Sequence, residues 1–567
     1  MCGLAGISFG SSPSSRLIDQ IISYRGTIRG GWHSKDLQML VRRLPRTGNR
    51  SRPQPIVTEA GSVLGFNGQV YNASWMAHRL GVACDDAVID SEILALWLEE
   101  NGPLGLSEID GEFAIAFFDR KRSQMVLARD QMGTRPLFWA RAGQKVAFAS
   151  SAKATSLLAC GTVNIDLENA SDCLWYGVPP SGSCFRGVRS VEAGTALICD
   201  QSATNTTRIN PHSRVGSIDQ SILAAVARRV PKKGASLAWS GGLDSEFIRR
   251  SWPKRRACKT AHLIGTPRSQ PRRADVILQV SPRTLRSAFR RFSLFAERPV
   301  TSLSGPAMFT LAVAAKKSGS EVWLSGEGAD ELFAGYSHYF KESEGHPFLL
   351  AKQRSKELVE HALDINTEAL PSEPIRAMLV SRSPIEWLSF DRNVRLPEHL
   401  CPMNSDIPTM MAEIESRSPY LDLWHLSDTM LPESPKKRLA DAAEACGVIA
   451  RIKEGLFFPS SLLGRNWLIQ TARAIEGADT GIIRVPSDLS SRVLRLFAML
   501  DELVVSKFVR KTFLEALASF IMGLSSFLDS RSLPTLSELD NFHTLISVCD
   551  GRVCSTSRSV APGIMES

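Results

Sequence analysis

The second residue of the chain is a cysteine, and its position could make it a nucleophile. Removal of Met1 would leave Cys2 with both a thiol and a free α-amine. An α-amine titrates near about pH 8, well below a lysine side chain, so it can act as the base that activates the thiol of the same residue. Residues 6–10 have the GxSxG spacing of a serine nucleophile, but too few residues precede them to form the buried strand that such a turn requires. Cys2 is therefore a candidate nucleophile, although a cysteine at this position is by itself more often an ordinary small residue after the initiator methionine.

A glycine-rich loop in the second half of the chain predicts a phosphate site. It contains Ser240, Gly241, Gly242, Asp244 and Ser245, after a short apolar strand candidate and at the start of a predicted helix. Backbone N–H groups at the glycines and the helix N-terminus can bind phosphate oxygens, and Asp244 can bind a Mg²⁺ ion that bridges them. The chain contains no GxxxxGK[ST] sequence, so this loop is not the P-loop of a kinase or GTPase.

A second loop combines glycine with carboxylates. Ser325 and Gly326 follow a short apolar run, and three acids come next: Glu327, Asp330 and Glu331. Beside a polyphosphate, clustered carboxylates are useful as ligands of a metal ion or as a base. The two loops therefore indicate a site for a polyphosphate with its metal ion.

The elements that must position these residues follow two patterns. Up to about residue 150, short strand candidates such as 113–118 are separated by tight turns, and 90–100 is the clearest helix. From about residue 215, apolar runs such as 236–239 and 321–324 alternate with helical stretches, which predicts a parallel α/β sheet. Beyond residue 462 the pattern is helical.

The composition is that of a globular protein. Of 567 residues, 22% are charged and 43% are hydrophobic, which excludes a disordered chain. The eleven cysteines form no CxxC pairs, so we expect reduced thiols and a cytoplasmic location. The sequence predicts neither a secretory leader nor a membrane span, because it has no long apolar segment.

The positive charge of the chain is concentrated in one segment. Residues 249–291 contain thirteen Lys or Arg and a single acid, so this segment carries +12 while the whole chain carries +9. The remainder is therefore slightly acidic. Such a basic stretch could bind an acidic peptide or a partner protein. Nucleic acid is an unlikely partner, because aromatic residues are sparse there and no nucleic-acid-binding motif is present.

Ordered motifs in the first 140 residues resemble the glutaminase domain of class II glutamine amidotransferases, whose nucleophile is the N-terminal residue. The matching segments are residues 1–6, 42–44, 52–55, 66–72, 89–92, 110–114 and 128–137. The resemblance implies that Arg43 binds the α-carboxylate of glutamine and Asp90 its α-ammonium. It also implies that the side-chain amide of Asn67 and the N–H of Gly68 form an oxyanion hole for the adduct on Cys2.

Two segments depart from that pattern. Residues 24–30 begin Tyr-Arg-Gly-Thr where the amidotransferases usually read His-Arg-Gly-Pro-Asp. Gln69 stands where a glutamate is common, and a neutral amide would bind the substrate ammonium less strongly than a carboxylate. The departures predict a less efficient glutaminase with the same nucleophile.

The two loops of the second half resemble the pyrophosphate loop of ATP pyrophosphatases and the matching acidic loop of asparagine synthetase. Residues 415–422 and 451–457 resemble two further segments of the asparagine synthetase family, so the resemblance covers about residues 1–460. It implies that the pyrophosphate of ATP is bound by the loop residues Ser240, Gly241, Gly242, Asp244, Ser245, Ser325 and Gly326. It further implies that Mg²⁺ is bound by Asp244 and Asp330.

The same resemblance implies roles for two other residues. Glu327 is expected to deprotonate the attacking amine. Lys453 is expected to neutralise charge on the α-phosphate as the adenylate forms and collapses.

These observations predict an α/β protein with two main domains. Residues 1–170 are expected to form an N-terminal nucleophile (Ntn) αββα sandwich, and 171–214 a connector. Residues 215–465 are expected to form a PP-loop synthetase domain of the adenine nucleotide alpha-hydrolase type with a parallel sheet, followed by a helical extension at 466–567.

The predicted function is that of a glutamine-hydrolysing amide ligase of the asparagine synthetase type. Glutamine, ATP and a carboxylate are the expected substrates, with aspartate as the simplest carboxylate. An alternative is a lasso-peptide cyclase, a relative that adenylates an Asp or Glu side chain of a precursor peptide. The basic stretch and the short interval of 79 residues between Ser245 and Ser325 favour this alternative, whereas the nearly complete glutaminase set opposes it. A third possibility is an inactive relative that binds nucleic acid.

Overall fold

The computed structural model describes residues 1–10, 15–46, 49–85, 88–179, 182–211, 216–254, 256–264, 274–298, 300, 302–350, 353 and 371–448. The expectations for Lys453 and for the helical extension 466–567 lie outside the described residues.

Among the described residues up to 208, twelve strands form two antiparallel sheets. They are β1 (Cys2–Ser8), β2 (Ile28–His33), β3 (Leu37–Arg43), β4 (Ile56–Val57), β5 (Val63–Val70), β6 (Gly111–Asp119), β7 (Gln124–Arg129), β8 (Phe138–Ala142), β9 (Lys145–Ala149), β10 (Arg189–Ser190), β11 (Thr195–Cys199) and β12 (Thr204–Arg208). The first sheet has the order β10-β8-β9-β1-β3-β2 and the second β12-β11-β7-β6-β5-β4. Leu4, Met39, Ala114 and Leu127 are part of the apolar layer that the two sheets bury between them.

Helices cover the outer face of each sheet. They are α1 (Ser15–Ile22), α2 (Ala73–Leu80), α3 (Asp90–Asn101), α4 (Ala152–Cys160) and α5 (Leu167–Tyr176). The helices α1, α4 and α5 share a buried cluster with the first sheet, and α2 and α3 share one with the second. Four layers result, helix, sheet, sheet and helix, which confirms the predicted αββα sandwich.

The segment 171–214, predicted as a connector, is largely part of this sandwich. Its strands β10, β11 and β12 extend both sheets, with β11 pairing along β7. The connector prediction arises from β12. This edge strand is largely exposed, and its sequence Thr-Asn-Thr-Thr-Arg is polar. A polar edge strand has no alternation of apolar residues, so it reads as a linker.

A five-stranded sheet forms the centre of the second half. Its strands are β13 (Ala235–Ala238), β14 (Lys259–Ile264), β15 (Val276–Gln279), β16 (Val322–Leu324) and β17 (Glu415–Arg417). The order is β15-β14-β13-β16-β17, and every neighbouring pair is parallel. This confirms the predicted parallel sheet.

Helices flank both faces of the parallel sheet. They are α6 (Ile218–Arg229), α7 (Leu243–Arg250), α8 (Pro282–Ala296), α9 (Ser304–Lys317), α10 (Ala329–Leu332), α11 (Glu373–Val380), α12 (Pro384–Phe390), α13 (Ile407–Met411) and α14 (Lys437–Ala445), with a π-helical stretch at Asp391–Asp406. The helices α8, α9 and α13 pack with one face, and α6, α7 and α14 with the other. Among the described residues, no helix has both the length and the apolar character to cross a membrane.

Buried ion pairs join the two halves. The Arg25 guanidinium, between β1 and β2, donates to both carboxylate oxygens of Asp406 at 2.9 and 2.7 Å, and neither side chain is exposed. A second link, Arg50 to Glu321 at 2.9 Å, lies at the surface, with the two side chains 62% and 34% exposed. Because water screens exposed charges, the buried pair should matter more for stability.

We expect Asp406→Asn to destabilise the protein by about 3–5 kcal/mol, because Arg25 would keep a buried charge without its counter-ion. Arg50→Ala is the matched control and should cost less than about 1 kcal/mol. Urea unfolding gives both free energies. Equal losses in the two variants would contradict the assignment of Arg25–Asp406 as the stabilising contact between the halves.

Candidate active site

Cys2 lies at the start of β1, in register with Arg43 on β3. Its backbone N–H donates to Oδ1 of Asn67 at 2.8 Å, and its sulfur lies 3.8 Å from Nε2 of Gln54. Burial raises the pKa of the Cys2 thiol, while the nearby terminal ammonium and Arg43 act in the opposite direction. The thiol is therefore held in a dry site where a base is needed to produce the thiolate.

Asn67 and Gly68, which are predicted to form an oxyanion hole, are neighbours in β5, and Asn67 contacts the backbone of Cys2. Asn67 is fully buried, and its Nδ2 has no hydrogen-bond partner among the residues that the structure describes. An unused buried donor costs free energy unless it is kept for a ligand. At Gly68, a Cβ would lie 2.0 Å from the Glu112 carbonyl oxygen. The glycine is thus required by close contact with β6, in addition to any approach of substrate.

Arg43 and Asp90, the predicted glutamine-binding residues, are held by their own partners. Nη1 of Arg43 donates to the carbonyls of Asn49 and Arg52 at 2.9 and 2.8 Å. Asp90 begins α3, where its Oδ2 accepts from the Val70 N–H at 3.0 Å. Burial raises the pKa of Asp90, and backbone N–H donors partly offset that effect. The structure thus brings a cationic and an anionic group into the Cys2 region.

The contacts of Gln69 explain why an amide can stand where the amidotransferases commonly have a glutamate. Its Nε2 donates to Oδ2 of Asp90 at 2.8 Å, and its Oε1 accepts from Nη2 of Arg417 at 3.2 Å. An amide can donate to a carboxylate and accept from a guanidinium at the same time, whereas an ionised glutamate can only accept. Gln69 therefore links Asp90 to the second half of the protein, and Arg417 is a site residue that sequence reasoning missed.

The other departure from the amidotransferase pattern is the segment that begins at Tyr24, and its side chains contact the second half of the protein. Tyr24 packs on Phe295 of α8 with ring centroids 4.3 Å apart, and burial raises its pKa to about 12. Nε of Arg25 donates to the Cys2 carbonyl at 3.2 Å. These residues hold β1 against the second half of the protein.

Gln54 is a second residue that sequence reasoning did not single out. It is buried, it lies next to the Cys2 sulfur, and its Oε1 accepts from the Phe66 N–H at 2.9 Å. Its membership of the matching segment 52–55 was the only signal that could have identified it.

The glycine-rich loop of the second half is closed by its own serines. Ser240 N–H donates to Oγ of Ser245 at 3.1 Å, and Gly242 N–H donates to Oγ of Ser240 at 3.3 Å. Gly241 has φ +70°, a conformation that favours glycine. The loop leads into α7, so its backbone forms the concave turn at a helix N-terminus that suits phosphate.

The acidic loop lies against the glycine-rich loop because β13 and β16 are neighbours and their carboxyl ends meet at one edge of the sheet. A Cβ at Gly326 would lie 2.9 Å from Cβ of Asp244. Ser325 is buried, and its Oγ has no hydrogen-bond partner among the described residues. Glu327 is half-buried in the same loop. All predicted loop residues thus converge on one edge.

Lys436 occupies the point where the predicted metal ligands meet. Its Nζ lies 2.5 Å from Oδ1 of Asp244 and 2.7 Å from Oδ1 of Asp330. Two carboxylate oxygens that converge on one cation are the donors that Mg²⁺ prefers, so these residues fit a magnesium site. The basic run 436–438 was the signal for Lys436 in the sequence, although a lysine in such a run is ordinarily solvated.

The fold and the two sites define a glutamine amidotransferase domain joined to a synthetase domain, and comparison with known proteins agrees. Residues 1–210 match the family described as glutamine amidotransferase domain, and residues 216–444 match the family described as asparagine synthase. Over these two segments, the chain is similar to glutamine amidotransferase domains and to asparagine synthases.

Individual relatives are distant. Asparagine synthetase [glutamine-hydrolyzing] 1 of Bacillus subtilis is 23% identical over 409 residues, which are 65% of this chain and 64% of that protein. Asparagine synthetase B [glutamine-hydrolyzing] of Escherichia coli is 24% identical over 348 residues, 57% of this chain and 61% of that protein. The chain thus spans just under two thirds of the length of these curated relatives. Among solved structures, glutamine phosphoribosylpyrophosphate amidotransferase of B. subtilis shares 12% identity over 71% of this chain and 96% of that chain, with a TM-score of 0.30.

We expect Lys436→Met to lower the melting temperature, because Asp244 and Asp330 would face each other without a cation between them. Millimolar MgCl₂ should recover part of that loss. Lys437→Met is the matched control: this neighbour is half-exposed in its ion pair with Asp441, so its loss should have little effect. Thermal unfolding with and without MgCl₂ gives the result, and a Lys436→Met melting temperature indifferent to Mg²⁺ would contradict the metal assignment.

Proposed function

We propose that this protein is a glutamine-hydrolysing amide ligase that uses ATP to activate a carboxylate. After removal of Met1, Cys2 attacks the carboxamide of glutamine and releases ammonia. Water then hydrolyses the resulting thioester, which releases glutamate and regenerates the Cys2 thiol. At the second site, a carboxylate oxygen attacks the α-phosphate of ATP, which gives an acyl-adenylate and pyrophosphate. Ammonia then attacks the acyl carbon and displaces AMP, with Glu327 taking the proton that the new amide loses.

The observation that carries this proposal is the position of β17 between the two sites. On the side of Cys2, Nη2 of Arg417 donates to Oε1 of Gln69 at 3.2 Å, a contact that does not depend on Met1. On the other side, the Arg417 carbonyl accepts from the N–H of Ser325, on the acidic loop, at 3.3 Å. One three-residue strand thus touches both sites. Such proximity suits a pair of reactions in which ammonia passes inside the protein.

Mg²⁺ fits this scheme at Asp244 and Asp330, where it would screen the charge of the ATP phosphates. When bound there, the ion makes the α-phosphate a better electrophile. The protein's own groups would bind the rest of the triphosphate: the loop N–H groups, the unused Ser325 hydroxyl and the Lys436 ammonium. The use of ATP and of free thiols suits a cytoplasmic enzyme.

Aspartate is the acceptor that we favour. In the basic stretch, Arg249 pairs with Glu246 at 2.5 Å, and Arg250 and Lys259 donate to backbone carbonyls at 3.0 and 2.7 Å. These three cations have partners within the protein, so they do not by themselves indicate an acidic partner. With aspartate as substrate, the reaction is that of asparagine synthetase.

A lasso-peptide cyclase is the second candidate. The observation in its favour is on α8, where Arg283 and Arg290 lie seven residues apart and are both exposed. Two cations on one helix face could bind an acidic peptide. In that reaction the peptide amine, and not ammonia, would attack the adenylate.

The deciding experiment incubates the protein with Mg-ATP, glutamine and aspartate and measures AMP, pyrophosphate and asparagine. Asparagine formed in equal amounts with AMP is the expected result. Pyrophosphate release that requires a peptide from a neighbouring gene, with no asparagine, would replace aspartate by a peptide. RNA binding without ATP turnover would instead identify an inactive relative. Mass spectrometry of the N-terminus tests the removal of Met1.

Cys2→Ala should abolish glutamine-dependent product and spare the ammonia-dependent reaction, because only the first site needs the thiol. Cys199→Ala is the matched control, since Cys199 is also a buried thiol of the same domain, in β11. It should retain glutamine use. The two nitrogen sources are compared in the same AMP assay, and a Cys2→Ala protein that still hydrolyses glutamine would refute the nucleophile.

Asn67→Asp should lower the kcat for glutamine hydrolysis by about 10²–10³, the loss typical of an oxyanion-hole donor. The substitution keeps an oxygen that can accept from the Cys2 N–H and removes the Nδ2 donor. Asn67→Ala removes both groups, so a comparison of the two variants separates the donor from the positioning of Cys2. If Asn67→Asp retains full kcat, Asn67 is not part of the oxyanion hole.

A further inference from the structure

A cluster of two histidines and an aspartate lies outside both sites. His338 belongs to a short 3-10 helix after the acidic loop, His346 lies eight residues further on, and Asp391 begins the π-helical stretch. Nε2 of His338 lies 3.5 Å from Oδ2 of Asp391, and Nε2 of His346 lies 3.3 Å from Oδ1. Both His346 and Asp391 are fully buried. None of the proposed reaction steps uses these side chains.

The histidine nitrogens lack the partners that buried imidazoles need. Within the described part of the chain, no hydrogen-bond partner satisfies Nε2 of His338 or either nitrogen of His346. Buried polar groups are nearly always hydrogen-bonded, so an imidazole with two unsatisfied nitrogens requires an explanation. A metal ion would supply one, because it takes the lone pair of a neutral imidazole.

The distances suit a tetrahedral ion. With bonds of about 2.0–2.1 Å, a tetrahedral ion separates neighbouring ligand atoms by about 3.3–3.4 Å. The two histidine–carboxylate distances fall close to this value, and one ligand atom from each residue lies within 4.8 Å of the others. An ordinary hydrogen bond between the same groups would be shorter.

Neighbouring side chains fix the three ligands. Tyr339 donates its OH to Oδ2 of Asp391 at 2.6 Å, and Arg395 donates to Oδ1 at 2.8 Å. Ligating carboxylates commonly have such supporting hydrogen bonds. The ring of His338 stacks on Tyr336 at 5.3 Å, and that of His346 packs beside Trp387 at 6.0 Å. The rings are therefore held with little freedom to turn away.

The charge of Arg395 is compatible with a cation nearby. Its guanidinium pairs with Asp391 and also interacts with the buried carboxyl group of Glu331, so it is not an isolated charge. Its other face lies over the ring of Phe348 at 4.6 Å.

We propose that His338, His346 and Asp391 bind a divalent transition-metal ion, with Zn²⁺ as the first candidate. Two imidazole nitrogens and one carboxylate oxygen suit Zn²⁺ better than Mg²⁺, which prefers oxygen ligands. The fourth position is left for water. The ion would tie the segment after the acidic loop to the start of the π-helical stretch, and would thereby support Glu331, which accepts a hydrogen bond from Tyr336. The site is separate from the Asp244–Asp330 magnesium site.

The test measures metal binding by the full chain, independently of activity. Purified protein is stripped with a chelator and titrated with Co²⁺, whose visible absorption reports tetrahedral nitrogen and oxygen ligands, and then with Zn²⁺, followed by melting curves. We expect one Zn²⁺ per chain and a higher melting temperature. Wild-type protein that neither develops the Co²⁺ absorption nor gains stability with Zn²⁺ would overturn the proposal.

Variants locate the ion. His338→Gln and His346→Gln should each weaken Zn²⁺ binding at least about tenfold. His262→Gln, which changes a buried histidine of β14, and Asp330→Asn, which removes a ligand of the magnesium site, should retain it. Undiminished binding in both cluster variants would show that the ion binds elsewhere and would refute the site. If these variants fail to fold, the wild-type Co²⁺ and Zn²⁺ titrations still decide.

Discussion

The arrangement of this protein depends on two buried carboxylates that must be paired because water is absent around them. Glu112 of β6 accepts from Arg135 and Arg229 at 2.7 Å each, and from Tyr71 and the Ser418 N–H at 3.2 and 3.3 Å. A buried charge without such partners would cost several kcal/mol per ion. Because Tyr71 and Arg135 come from the first half and the other two donors from the second, Glu112 can be satisfied only when the halves are docked.

Glu415 imposes the same constraint on the chain terminus. Before Met1 is removed, it pairs with the Met1 ammonium and with Arg417, and these cations hold its pKa far below the usual range despite burial. The strand that carries it, β17, therefore covers the Cys2 region and also touches the acidic loop. The pairing of the buried Glu415 thus helps to place β17 next to both sites.

Charge pairing also shapes the second site, but there two carboxylates share one cation. Asp244 and Asp330 are brought together by adjacent parallel strands, and their repulsion requires a cation, which Lys436 supplies. The histidine cluster near Asp391 is a further place where buried ligands converge. In both places the backbone fixes where the donors meet, and the chemistry of the donors then selects the ion.

The sequence by itself predicted a strand-rich first domain and a parallel sheet in the second, because apolar periodicity and glycine-rich turns are local signals. Its resemblance to class II amidotransferases predicted the αββα sandwich. It assigned strands β10–β12 to a connector, since β12 is a polar edge strand without that periodicity and β10 has only two residues. Only the tertiary structure placed Arg417 beside Gln69 and Lys436 between two aspartates, because these contacts join residues far apart in the chain. A buried charge selects its partner by position in space, which no spacing along the sequence encodes.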